Sequence, residues 1–520
     1  MKFSIIQNGA GLREQAGCRK RGKKKISHCV HHFIHWYLAR TPLAYARILF
    51  IVLLAVNIYR AATTSISTDE AYTYNRSVSV PIPKLWESFD ANDHVLHTLL
   101  CKASVALFGV SEFTLRIPAL FGGVLLLWVC LRLSRLLLGD GWRMLLAFAL
   151  LALNPLILDY CSVARGYGMA AAGMLIALDQ LLRVMRQPTS LWRLYVAGIS
   201  LALSVCANLT VVIPGLAMTA AFAVLYLGPA LRERNWSRLR VRTDALLDRM
   251  VVPGILITIA ILLVPLLPAR REHFYLGSHS WKDSLISLGY ASLWRPSNLL
   301  EHTVLHEPAI FLLEIAALVL PPAVLLLAAY RWWRNREPVG ALLTLTTLAT
   351  FAMLFFLNRL VGMPLPERRT GLYLIPLLTL LAVISTEEIA WARLAGRTVA
   401  ALVLLQFLVC WNVRYYDEWT FDAGSRQLVE YLQARAPQPP KRATLHATFP
   451  LSYAIEFYRR LFGMDWLEVS MEQQANRPFD IYLLSPEELP LMQRYHLTER
   501  YVQPLSNITL ATAASSPLRP

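Results

Sequence analysis

Residues 44–59 read AYARILFIVLLAVNIY, and residues 67–78 read STDEAYTYNRSV. The first run, with its flanks, is apolar and long enough to cross a hydrocarbon core about 30 Å thick. The second places two adjacent acids, Asp69 and Glu70, just beyond its end. Such a pair is either an ordinary wet loop or the working end of an enzyme whose substrate arrives through lipid.

The rest of the chain repeats the apolar pattern. WRMLLAFALLALNPLIL (142–158), VVPGILITIAILLVPLLP (251–268) and AIFLLEIAALVLPPAVLLLAA (309–329) are membrane-length runs, some with internal Pro or Gly, which membrane helices tolerate. Only 16% of the 520 residues are charged, against about 25% in soluble proteins. The net charge of +17 is concentrated in RKRGKKK (19–25) and in the connections 183–193, 232–242 and 331–337. That is the distribution of cytoplasmic loops and does not suggest a nucleic-acid interface. The opening run is suited to anionic headgroups. No cleavage pattern precedes the first span, so it reads as a retained anchor. Seven cysteines, at 18, 29, 101, 130, 161, 206 and 410, show neither a disulfide framework nor a metal-ligand spacing. HCVHHFIH (28–35) matches no common zinc pattern.

Eleven spans are expected: 43–60, 117–137, 142–158, 166–184, 191–207, 210–229, 248–268, 308–330, 338–356, 371–389 and 394–413. With residues 1–42 as a basic cytoplasmic segment, this odd number puts the C-terminus outside, in a multi-pass protein of the inner (plasma) membrane. Loops 61–116, 269–307 and 358–370 then face outward, and 208–210 must turn tightly. The apolar stretch near 94–109 reads as an amphipathic helix along the membrane surface. Residues 414–520 alternate strand-like and helix-like pieces, with helices at SRQLVEYLQ and SYAIEFYRRLFG and strands at ATLHATF and FDIYLLSP. They predict a small extracytoplasmic α/β domain.

Four polar clusters fall on the outer side. Asp69, Glu70 and Tyr72 follow the first span. FDANDHVLHTLL (89–100) carries Asp90, Asp93, His94 and His97. Its carboxylates and imidazoles make Asp93, His94 and His97 a candidate site for Mg2+ or Mn2+. LDYCSVARGYG (158–168) carries Asp159, Arg165 and Tyr167, where an arginine is suited to clamp a phosphate. PLPERRTGLYLIP (364–376) sets Glu367, Arg368 and Arg369 on the outside, against the charge bias. An anionic lipid leaving group would explain that exception.

With these stretches in hand, the chain resembles the integral-membrane glycosyltransferases of the GT-C fold, in the branch of the protein O-mannosyltransferases and the lipid A aminoarabinose transferase. TDEAYTY (68–74), NDHVLHTLLCKASVALFGVSEFTLRIPALFGG (92–123) and NPLILDYCSVARGYG (154–168) carry the resemblance. Relatives often read HPPLY where this chain has HVLHTL at 94–99. The resemblance implies an all-α polytopic membrane domain and transfer of a sugar from a polyprenyl-phosphate carrier to an extracytoplasmic glycan, lipid or protein acceptor. Asp69 and Glu70 would be the catalytic acids, Asp69 as general base or acceptor-positioning residue and Glu70 in support of its loop. Arg165, Arg368 and Arg369 would stabilise the leaving phosphate, with or without a divalent ion. Tyr72, Asp159, Tyr167 and Glu367 complete the candidate substrate site. The alternative is a transporter or flippase of lipid-linked sugars, whose expected inverted repeat is not evident.

Overall fold

The computed structural model describes residues 23–518 apart from 91, 275, 296–298, 336, 387–389 and 438–440. Cys18 and most of the basic run therefore lie outside the described residues, as do the side chains of HCVHHFIH. Among the described residues, eight helices are long and apolar enough to cross a membrane. They are Thr41–Thr63, Glu112–Leu138, Tyr167–Arg186, Leu209–Arg232, Trp236–Leu266, His306–Asn335, Gly340–Val361 and Trp391–Val409. The other three expected spans are the shorter apolar helices Trp142–Ala152, Trp192–Ala207 and Leu374–Thr386.

One expected span breaks. Residues 142–158 do not run through, because Asn154 accepts the Ile157 N–H at 3.2 Å and Pro155 opens a new short helix, Pro155–Asp159. Proline lacks the N–H that would continue the first helix but suits the opening turn of the second. The break turns residues 159–166 across the end of the bundle. Elsewhere helices approach through small residues, as membrane packing favours. At Gly198 a Cβ would stand 2.3 Å from the Met250 carbonyl oxygen, so the Trp192–Ala207 and Trp236–Leu266 helices touch backbone to backbone. The 208–210 turn forms as expected, with Asn208 Oδ1 accepting the Thr210 N–H at 2.9 Å.

The segments between spans at one end of the bundle are tied to one another. The helix Val95–Phe108 packs beside Glu112–Leu138 and Trp192–Ala207 and leaves Leu107 and Phe108 facing outward. Ser278 and Leu365 exchange both backbone hydrogen bonds, at 2.9 and 2.7 Å, joining the 269–307 and 358–370 loops. Ser284 Oγ adds a bond to the Pro366 carbonyl at 2.6 Å. These contacts brace the turn that carries Arg369.

The C-terminal region contains a five-stranded sheet. Its strands are β1 (Ala443–Ala447), β2 (Leu467–Val469), β3 (Ile481–Leu484), β4 (Thr498–Val502) and β5 (Thr509–Thr512), ordered β2-β1-β3-β5-β4. β2, β1 and β3 are parallel, and β5 and β4 run antiparallel. The helices Ser425–Ala434 and Ser452–Leu461 bury Leu428, Val429, Ile455 and Phe457 in a core that also contains Ile66, Ala71, Val78 and Leu115. The sheet domain and the loop after the first span therefore share one hydrophobic interior. Ile66 N–H donates to Tyr458 Oη at 2.8 Å, and that hydroxyl donates to Glu112 Oε1 at 3.0 Å.

Candidate active site

Asp69 and Glu70 are neighbours with opposite surroundings. Ser67 caps the short helix Thr68–Thr73, and Glu70 answers by accepting the Ser67 N–H at 2.8 Å, which makes a capping box. Glu70 also accepts Arg116 Nε at 2.8 Å, Arg116 Nη2 at 2.6 Å and the Ala164 N–H at 2.6 Å. The remaining Arg116 N–H groups go to the Ala61, Thr64 and Ser65 carbonyls. Burial alone would raise the Glu70 pKa, but the Arg116 charge and these donors hold it below the ordinary value. Both oxygens are engaged, two bonds each, so nothing remains for a substrate. Expected as a catalytic candidate, Glu70 has its carboxylate taken up by the helix cap, Arg116 and the Ala164 N–H; the spacing S-x-x-E, a capping signature, was the signal for the first of these.

Asp69 turns the other way, with its side chain 16% exposed. Its Oδ2 lies 2.8 Å from Arg369 Nη1 and 4.0 Å from Arg165 Nη2. Arg369 Nη1 is also 3.4 Å from Glu418 Oε2, which accepts the Tyr160 hydroxyl at 2.6 Å. The Arg369 guanidinium lies 5.3 Å from the Trp419 ring centre, a cation–π placement. Arg165 is fixed from behind: Nη1 donates to Thr73 Oγ1 at 2.9 Å, and Nη2 donates to Asn92 Oδ1. Two carboxylates and two guanidiniums thus meet. Asp69 Oδ2, although ion-paired, and Glu418 Oε1 lack hydrogen-bond donors.

Beside this group stands His94. Asn208 is oriented by the Thr210 N–H on its Oδ1, so its amide nitrogen faces His94 Nδ1 at 3.0 Å. The other ring nitrogen, Nε2, is a buried atom without a hydrogen-bond partner. Burial, then the charges of Arg165, His97 and Arg369, hold the imidazole well below its usual pKa, with the Ala207 carbonyl acting the other way. His94 is therefore neutral. Tyr167 packs on it with ring centres 4.8 Å apart. Gly166 permits this closeness, since a Cβ there would meet the Ala207 oxygen at 2.0 Å and His94 Cβ at 3.0 Å.

Other expected residues are placed differently. Arg368 is exposed, and only Arg369 of the pair points inward. Glu367 forms no ion pair among the described residues; its N–H is taken by Thr370 Oγ1 at 2.7 Å at the opening of the Arg368–Gly371 turn. Asp159 is not in the Asp69 group. It is buried between Arg60 and Arg295, and Arg295 also binds Asp417. Tyr72 donates to Asp90 Oδ2 at 2.7 Å and accepts Arg76 Nη1 at 2.7 Å, at the half-exposed rim. The expected cation ligands do not converge. Asp93 accepts the Ser77 hydroxyl at 2.9 Å, His97 faces Cys101, and His94 faces Asn208. Among the described residues no group of three or more His, Cys, Asp or Glu is arranged to hold a metal ion. These residues do not fit Mg2+ or Mn2+ as a bound set.

Sequence reasoning missed Glu418, Tyr160, Asn92, Arg116, Arg295 and Asp422. Asp422 accepts both the N–H and the hydroxyl of Thr68, pinning the segment that precedes Asp69. Glu418 and Asp422, and the Asp417 that pairs with Arg295, come from RYYDEWTFD (414–422), assigned above to the C-terminal domain. Its density of acids directly after the last span was the available signal.

No protein-family model matches the chain, and no curated protein matches its sequence. Solved structures do. ArnT from Cupriavidus metallidurans in the apo state is 14% identical over 92% of this chain and 99% of its own, with a TM-score of 0.51. The same ArnT bound to undecaprenyl phosphate aligns with a TM-score of 0.49 at 14% identity, over 92% of this chain and 98% of that one. The apo oligosaccharyltransferase of Archaeoglobus fulgidus gives 0.48 at 13% identity, over 92% of this chain and 75% of that one. The fold of this chain is that of the GT-C membrane glycosyltransferases.

Proposed function

We propose that this protein is a glycosyltransferase that moves a sugar from a polyprenyl-phosphate carrier to an acceptor hydroxyl outside the cytoplasm. The observation that carries this reading is the Asp69 carboxylate, 2.8 Å from Arg369 and partly open to solvent at the end of the bundle. The shared fold with ArnT, a protein that binds undecaprenyl phosphate, supports the choice of carrier.

The charges fit the reaction. Arg165, Arg369, Asp69 and Glu418 sum to zero, and a sugar phosphodiester brings one negative charge. The acceptor oxygen attacks the anomeric carbon while its proton passes to the Asp69 carboxylate. The bond from that carbon to the phosphate oxygen breaks, and its electron pair leaves with the polyprenyl phosphate. Asp69 loses one negative charge as the leaving phosphate gains one. Protonated Asp69 no longer holds Arg369, so the guanidinium is free to meet the phosphate when its charge peaks. Glu70 and Asp422 keep the Asp69 segment in place, and neutral His94 leaves its unpartnered Nε2 for a polar group of the substrate.

The test is transfer from a purified polyprenyl-phosphate sugar by folded wild-type protein and Asp69→Asn. Transfer that depends on Asp69 supports the reading. Transport of the carrier with no transfer to any acceptor would favour a flippase. The sidedness is tested separately: a reporter active only in the cytoplasm, fused after Pro520, should stay silent.

A further inference from the structure

At the end of the bundle opposite Asp69, the Tyr167–Arg186, Leu209–Arg232, His306–Asn335 and Gly340–Val361 helices border a cavity of about 890 Å3. Its walls are span ends, including Val184, Val224, Leu225 and Trp332, and its polar lining includes Arg232 and Arg242. Arg242 donates to the Tyr226 carbonyl at 2.6 Å and lies 5.0 Å over the Tyr226 ring. These contacts orient the guanidinium without neutralising it. Arg232 is exposed, and neither arginine forms an ion pair among the described residues. Glu233, the acid in the lining, is held by Arg238 at 2.8 Å. Two cations therefore stand uncompensated above an apolar hollow.

That combination selects its ligand. A free phosphate or a nucleotide would use the arginines but leave apolar walls against water, which is unfavourable. A neutral lipid would use the walls but not the charge. The cavity lies where the apolar helices end, and basic pockets between membrane helices bind anionic headgroups. We infer that this cavity is a binding site for an anionic phospholipid, its phosphodiester on Arg232 and Arg242 and the start of its acyl chains against Val224 and Trp332. The site lies at the far end from the transfer chemistry and does not depend on it.

The test is native mass spectrometry of the full-length protein in detergent, with phosphatidylglycerol and phosphatidylcholine of the same acyl chains. Wild type should retain phosphatidylglycerol preferentially. Arg232→Gln with Arg242→Gln should cut that preference by roughly 30-fold. Val224→Trp, which fills the mouth at a position 64% exposed, should reduce retention without changing charge. Arg234→Gln with Arg240→Gln, exposed arginines outside the lining, should leave the preference intact. Three results would overturn the site: no preference in wild type, equal loss in the outside pair, or full displacement of the lipid by millimolar inorganic phosphate.

Discussion

Two groups of charge sit at the same end of the bundle, each with two arginines and two acids. Around Asp159 every carboxylate oxygen accepts a bond: Oδ1 from Arg60, Oδ2 from Arg295 and the Asp417 N–H, and Asp417 is held by Arg295 and Asn412. All four side chains are 6% exposed or less. Around Asp69 the acids are 16% and 10% exposed, Glu418 Oε1 is bare, and Arg369 divides one nitrogen between two carboxylates. Tyr416 stands between the Asp159 group and the Glu70–Arg116 pair, with Arg60 at 4.8 Å and Arg116 at 5.2 Å over its ring. Equal composition thus serves different ends. A saturated network fixes segments to one another, and an unsaturated one keeps capacity for a ligand.

The sharpest way to break the comparison is Asp69→Asn. Transfer should fall by about 10²–10⁴-fold with little change in thermal stability, because Asn keeps the shape and Arg369 still has Glu418. Unchanged turnover would return Asp69 to an ordinary rim acid.

Glu70→Gln should do the reverse. It leaves Arg116 buried and uncompensated, at a cost of about 3–5 kcal/mol, read by unfolding in detergent. The pH dependence has a definite sign. The folded pKa of Glu70 lies below its ordinary 4.5, so its contribution is complete above that value and is lost as pH falls through the folded value. Wild type should weaken on acidification below about pH 4.5, and Glu70→Gln should flatten that part of the curve. A variant as stable as wild type would show that Arg116 has other support.

Arg369→Gln should lower transfer by about 10- to 1000-fold, whereas Arg368→Gln should leave it within about twofold, since the second guanidinium faces solvent. Equal losses in both would contradict the inward placement of Arg369 alone. A smaller loss than at Arg369 is expected at His94→Phe, about two- to tenfold in transfer, as one neutral polar group is removed. Its pH profile above 6 should match wild type, because burial keeps the imidazole uncharged.

The membrane architecture was legible because apolar length and basic connections are properties of contiguous residues. All eleven expected spans correspond to helices, and only the one containing Asn154 and Pro155 is broken. Asp69, Arg165 and Arg369 were legible for a different reason: a charge at a span boundary is costly and stands out. The roles of their neighbours were not. Whether Asp69 or Glu70 faces a ligand depends on Arg116, 46 residues away, and Asp159 looked like a site residue until Arg295, 136 residues on, was seen to claim it. His94 and His97 share a helical spacing but divide at the helix cap, so one meets Asn208 and the other Cys101. In the C-terminal domain the buried strands β1 and β3 were visible, whereas β5, also four residues long and buried, was not read. The three-residue β2 and the exposed β4 carry too little pattern to read.

The interior shared by the Asp69 loop and the C-terminal sheet has a consequence for synthesis. Ile66 meets Tyr458 across 392 residues, so the loop emerges from the ribosome long before the helix that buries its back face. At translation rates of roughly 5–20 residues per second, that interval is about 20–80 s. Thr68 waits nearly as long for Asp422, and Asp69 for Glu418. The newborn chain must therefore spend most of its elongation with the back face of the Asp69 loop uncovered. A ribosome that stalls before the final quarter would release a bundle whose Asp69 loop lacks Glu418, Asp422 and Tyr458.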